Sequence, residues 1–239
     1  MSVHLVGGGW TPENDAAVFG PFLDEATARG VASGRTQPRI AIIAVRDGDG
    51  DEHTEKLSSA LVAAGPFEPV RTSVAHGELA ELLAIQDVDG ILVGGGLTPA
   101  YLDAIQPIAG EIRRQVAAGI PYLGFSAGAA IAAERALIGG WRIGGVEVSP
   151  EDGSEDLDEV TIVQGIGLLD VTVEVHAAQW GNLSRLIAAT EAGLIEGGLA
   201  IDESTALVVG EGALNVVGAG SVWRVSQSDA GVLVGTFGA

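Results

Sequence analysis

Residues 121–128 read Pro121-Tyr122-Leu123-Gly124-Phe125-Ser126-Ala127-Gly128. The apolar first half predicts a buried strand, and Gly124-Phe125-Ser126-Ala127-Gly128 matches G-x-S-x-G, a turn that presents a serine between a strand and a helix. Such a turn brings the backbones on either side of the serine close together, so only residues without a Cβ fit at the two flanking positions. The alanine-rich run Ala129-Ala130-Ile131-Ala132-Ala133-Glu134-Arg135 favours a helix starting right after Ser126. Ser126 is therefore expected at a helix N-terminus, with the Ala127 amide aimed at any negative charge that develops beside it.

Upstream, the apolar run Val3 to Val6 ends in Gly7-Gly8-Gly9, and Thr11-Pro12-Glu13 supplies an N-cap, an N1 proline and an acidic first turn. The pattern then recurs. Leu92-Val93-Gly94-Gly95-Gly96-Leu97-Thr98-Pro99 repeats Leu5-Val6-Gly7-Gly8-Gly9-Trp10-Thr11-Pro12 almost letter for letter, which implies two equivalent strand-turn-helix corners. Between and after them, apolar spacing predicts helices over 16–30, 53–64, 77–84 and 103–118, and strands over 39–45, 70–74, 91–93 and 120–125.

This alternation predicts an α/β fold of three layers, a mostly parallel sheet with helices on both faces. Ligands bind such sheets at the carboxyl ends of the strands, where all three glycine corners lie. Beyond the serine, the acidic segment 150–159 has no apolar period and reads as an exposed loop, not a metal site. Strands are expected over 161–169 and 171–175, with a helix over 180–192. Glycine-punctuated runs at 206–209, 214–217, 221–225 and 231–236 predict an antiparallel C-terminal extension. Residues 1–239 read as a single domain.

The formal net charge is −20 and Lys56 is the sole lysine, so nucleic acid and anionic membranes would be repelled. Without cysteine the chain has no disulfide, thiolate metal site or cysteine nucleophile. The start, Met1-Ser2-Val3-His4-Leu5-Val6, lacks the basic and apolar regions of a signal peptide, and no run approaches membrane-spanning length. A soluble, cytoplasmic protein is expected. A homodimer stays open.

A serine hydroxyl needs a base within hydrogen-bond reach, usually a histidine held by a carboxylate. Of the four histidines, His4, His53 and His76 read as ordinary edge or surface residues. His176 ends the run Val171-Thr172-Val173-Glu174-Val175, at the strand edge where Ser126 is expected. Glu134, Glu147, Glu174 and Glu203 are all available as the carboxylate, and no spacing rule selects among them. A second oxyanion donor must come from another segment, and Gly95 or Gly96 suits that task because glycines let backbone amides approach a substrate closely. The alternative, a phosphate site, lacks any G-x-G-x-x-G or Walker pattern.

In these segments the chain resembles the serine peptidases of the dipeptidase E and cyanophycinase type. The resemblance is carried by Val93 to Thr98, Gly124 to Ala129, Gly165 to Leu186, and Ala200 to Leu207, in matching order. It implies a fold like the class I glutamine amidotransferases, a small peptide as substrate, no metal or organic cofactor, Ser126 as nucleophile and His176 as base. Glu147 lies in the stretch where the family's third member falls, with Glu174 as runner-up. Where family members often place arginines after the histidine, this chain has Trp180 and Asn182 and keeps only Arg185. Trp180 and Arg185 are accordingly expected at the substrate pocket, Arg142 and Arg185 as candidate carboxylate partners, and any aspartate preference is expected to be weakened. An esterase or acyl hydrolase using the same serine, and a non-catalytic binding protein on the same fold, are the alternative readings.

Overall fold

Alternating elements build the main sheet of the computed structural model, which describes residues 2–210 and 212–238. In chain order they are β1 (Val3–Val6), α1 (Pro12–Ala32), β2 (Arg39–Val45), α2 (Gly50–Val62), β3 (Glu68–Val74), β4 (Gly90–Val93), α3 (Thr98–Ile105), α4 (Ala109–Ala117) and β5 (Tyr122–Phe125). The five strands pair in parallel in the order β1-β5-β4-β2-β3. Their side chains alternate between two cores. Ile40 and Ile42 point to Phe19, Phe22, Leu57 and Leu61 of α1 and α2. Ala41, Ile43 and Val45 point instead to Tyr101, Ile105, Ile112 and Val116 of α3 and α4. Each large side chain fully buried in this way contributes about 1.5–3 kcal/mol, so a sheet covered on both faces is the arrangement these runs demand.

The second half adds α5 (Ala127–Ala130), β6 (Arg135–Gly139), β7 (Arg142–Ile143), β8 (Val146–Glu147), β9 (Thr161–Gln164), β10 (Thr172–Val175), α6 (Leu183–Glu191), β11 (Gly197–Ile201), β12 (Thr205–Val209), β13 (Asn215–Gly218), β14 (Ser221–Ser228) and β15 (Gly231–Gly238). A second, four-stranded sheet has the order β10-β11-β14-β15, and β14 and β15 form its antiparallel C-terminal part. The tail does not stay together, however. β12 pairs antiparallel with β1 and carries β13 with it, so the main sheet ends up with seven strands. The chain crosses between the two sheets in residues 202–204.

Several elements depart from the sequence pattern for tertiary reasons. The helix after Ser126 lasts one turn, because the carbonyls of Ile131, Ala132, Ala133 and Glu134 accept the amides of residues 165–168 instead of continuing the helix. The same bonds end the strand expected over 161–169 at Gln164. Pro107, which has no N–H to donate, stands in a 3₁₀ turn at Gln106–Ile108 and splits the helix expected over 103–118 into α3 and α4. Over 77–84 only a 3₁₀ turn at Leu82–Ile85 forms, with the Ala80 amide diverted to Ala104 O. Among the described residues no helix is long and apolar enough to cross a membrane.

Candidate active site

Ser126 stands between β5 and α5 at φ 53°, ψ −111°, a conformation that turns its side chain out at the carboxyl edge of the parallel strands. The turn is tight enough to require both flanking glycines. A Cβ on Gly124 would lie 2.3 Å from Gly128 O, and one on Gly128 would lie 2.2 Å from Val93 O. The Ser126 N–H donates to Val6 O at 2.9 Å and the Gly128 N–H to Gly94 O at 3.0 Å, so β1, β4 and β5 fix the turn together.

His176 follows β10 directly, also with positive φ (51°). Its Nε2 lies 2.8 Å from Ser126 Oγ, and its Nδ1 lies 2.7 Å from Glu203 Oε1. A carboxylate on Nδ1 holds the proton there and leaves Nε2 free to accept from the serine. Burial pushes the imidazole below its ordinary titration range, while Glu203 and Glu174 pull it back up. Glu203 lies in the 202–204 crossing, its N–H bonded to Gln179 Oε1 at 2.9 Å. Ser126 thus comes from the main sheet, His176 from the second, and Glu203 from the segment joining them.

The two repeated glycine corners serve opposite halves of this arrangement. At the first, a Cβ on Gly8 would lie 2.1 Å from His176 Cε1, and one on Gly9 would lie 2.6 Å from Glu203 Cβ. At the second, a Cβ on Gly95 would lie 2.8 Å from Ser126 Cβ. Bare backbone therefore packs against all three side chains.

Gly95, Gly96, Ser126, His176, Trp180 and Glu203 all line one cleft of about 900 Å³. Ala127 follows the serine, fully buried at the first position of α5. Trp180, 41% exposed, does not pack into the core but stacks on the imidazole. Glu147 is elsewhere: it is exposed on the β7–β8 hairpin, where strand pairing sets it opposite Arg142, 3.6 Å from its Nη2, while Glu203 occupies the imidazole's Nδ1. Glu174 faces away too. It is buried against Arg185 through contacts of 2.8 and 2.9 Å, so neither member of that pair is available to a substrate. Arg142 lies over the Trp141 ring and not in the cleft.

Two further corrections concern residues read as inert. The acidic segment is not simply an exposed loop, since Glu151, Asp152, Glu155 and Asp156 form one wall of the cleft. The Glu155 carboxylate accepts the Thr98 N–H at 2.8 Å, and burial raises its pKa. Buried Arg185 holds this wall through Gly153 O at 2.6 Å. His53 and Arg46 also line the cleft. The carboxyl-edge rule that selected His176 applies equally to Glu203, which comes two residues after β11, and it was the one available signal for that residue.

The sequence model of peptidase family S51 matches residues 31–217. The chain belongs to peptidase family S51. It is similar to the cyanophycinases of Synechococcus elongatus and Thermosynechococcus vestitus, each 36% identical over 162 residues, or 65% of this chain and 47% of theirs. The chain thus matches about half the length of those curated relatives. In fold it is similar to a peptidase from an acI-B1 actinobacterium, with a TM-score of 0.63, 19% identity, and 100% and 96% of the two chains covered. It is also similar in fold to a candidate peptidase E protein from Listeria monocytogenes EGD-e, with a TM-score of 0.55, 16% identity, and 91% and 98% covered.

Proposed function

We propose that the protein is a serine-type hydrolase of small peptides, with Ser126 as nucleophile, His176 as general base and acid, and Glu203 as the carboxylate that orients the imidazole. The observation that carries this reading is the unbroken chain from Ser126 Oγ to His176 Nε2 and from Nδ1 to Glu203. In it, Oγ attacks the scissile carbonyl carbon as its proton passes to Nε2, and Glu203 stabilises the imidazolium. The negative charge on the carbonyl oxygen falls to the amides of Ala127 and Gly96. Collapse expels the amine, which takes the proton from Nε2; water then attacks the acyl-enzyme with the same base.

The electrostatics of the cleft favour neutral or cationic peptides over aspartyl ones. Four carboxylates besides Glu203 line it, and among the described residues Arg46 is the one arginine in the lining, already paired with Asp49. Family membership supports peptide over ester substrates, and the relatives' name makes cyanophycin one polymer to include in a substrate panel.

The test is reaction of the folded protein with a fluorophosphonate, followed by peptide mapping. Labelling at Ser126 that is lost in Ser126→Ala supports the reading, and a folded protein that does not label overturns it. Comparing Asp-X, neutral and Lys- or Arg-containing peptides with acyl esters then separates peptidase from esterase and reads the charge preference.

A further inference from the structure

The corner Gly94-Gly95-Gly96 is held on most of its polar atoms. Gly94 N–H donates to Ile43 O at 2.9 Å, and Gly94 O accepts from Gly128 N–H at 3.0 Å. Gly95 N–H donates to His53 Nε2 at 3.3 Å. Gly95 O accepts from Tyr101 Oη–H at 3.0 Å and from Arg46 Nη1 at 3.2 Å. The Gly96 N–H and C=O are the exceptions, neither having a partner among the described residues.

A trans peptide carries its C=O and N–H in one plane, pointing in opposite directions. Two donors holding Gly95 O therefore turn the Gly96 N–H the other way. Gly95 packs on Ser126, and Gly96 lines the same cleft. His53 fixes the preceding peptide plane by the same logic, so the glycines, otherwise free to flip, are left with one orientation.

We propose that Tyr101 and His53 are positioning residues that pre-aim the Gly96 N–H as the second oxyanion donor, acting through the two ends of Gly95. This rests on the serine-hydrolase reading above. Neither residue touches the reacting atoms, and each is itself restrained. Tyr101, on α3, is fully buried in the core. His53, in the first turn of α2, meets the Trp10 ring edge-on at 5.8 Å, and Trp10 packs at 4.6 Å on Phe125, the residue before the serine. An acceptor role requires a neutral imidazole. Burial, reinforced by Arg46 and Lys56, lowers His53 to about 4, against a smaller upward pull from Asp49.

The experiment compares wild type, Tyr101→Phe, His53→Leu and His53→Gln for the rate of fluorophosphonate labelling at Ser126, for kcat and KM on a peptide the wild type cleaves, and for thermal midpoint. Tyr101→Phe removes one hydroxyl without changing shape, and Gln restores an acceptor that Leu lacks. Folded Tyr101→Phe should label roughly tenfold more slowly, a fraction of the ~10²–10³ lost when an oxyanion donor is deleted outright. kcat should fall with KM little changed, and His53→Gln should recover most of the rate lost in His53→Leu. Should Tyr101→Phe fail to fold, the His53 pair decides. Folded variants that label at the wild-type rate overturn the proposal while leaving the nucleophile assignment standing; a wild type that does not label removes both.

Discussion

The indole of Trp180 lies face to face on the imidazole of His176, with ring centroids 3.8 Å apart and planes 7° from parallel. Gly8 crowds the same ring from the first glycine corner, and both ring nitrogens are hydrogen-bonded, so the imidazole has little freedom left. Two effects of the indole oppose each other. Its cover disfavours the imidazolium, while its π face favours it by about 0.5–2 kcal/mol. Burial is the largest cause of the lowered titration, so Trp180→Ala should raise the acid limb of the kcat/KM profile toward the ordinary value of 6.5 and reduce kcat. In the wild type that limb should lie below 6.5, with activity lost as the pH falls through it. A downward move in Trp180→Ala would instead make the π face the dominant effect.

Glu203→Gln should lose about 10⁴-fold in kcat, as when the orienting carboxylate of a triad is neutralised. Glu147→Gln, altering an exposed hairpin residue, should stay near wild type. Steady-state rates of the two variants side by side decide between the carboxylates.

Arg185→Ala should be read as a stability variant. Its guanidinium is 2% exposed as a residue and bound by Glu174, Gly140 O and Gly153 O. Removing one member of a buried pair costs about 3–5 kcal/mol, which denaturant titration would measure. No selective loss of binding to carboxylate-bearing peptides should accompany it, apart from a general loosening of the acidic wall.

His53 makes stability depend on pH with a definite sign. Its folded value, about 4, lies below the reference 6.5, so the unfolded chain binds more protons between those limits. The contribution is present in full above pH 6.5 and is lost as the pH falls toward 4. Buried Glu155, with its pKa raised, acts in the opposite direction. Thermal midpoints of wild type and His53→Gln from pH 7 to 4 isolate the histidine: the variant's decline should be shallower.

The layered architecture was legible because it rests on local signals. Apolar runs such as Ile40 to Val45 alternate with capped helices, and the repeated corners mark equivalent strand ends. Ser126 and His176 could be singled out for the same reason, since each directly follows a strand. What stayed hidden depends on distant partners. The helix after Ser126 was cut short by amides from residues 165–168, whose approach no propensity encodes. Glu203 stood among equivalent glutamates because β12 pairs with β1 across nearly the whole chain. His53, on a polar helix face, gave no hint that its Nε2 meets Gly95.

The crossing at residues 202–204 ties catalysis to assembly. Ser126 is fixed once β1, β4 and β5 have paired, but Glu203 reaches His176 only once β12 has also docked on β1 and β11 has paired with β10. The β1–β12 pairing brings Val3 to Val209 across most of the chain, and such long-range pairing is a slow step in folding. A refolding chain would regain most of its helix and its parallel core before it regained a working imidazole. Recovery of Ser126 reactivity is therefore a stopwatch for the last join between the sheets, with far-UV signal keeping time for everything before it.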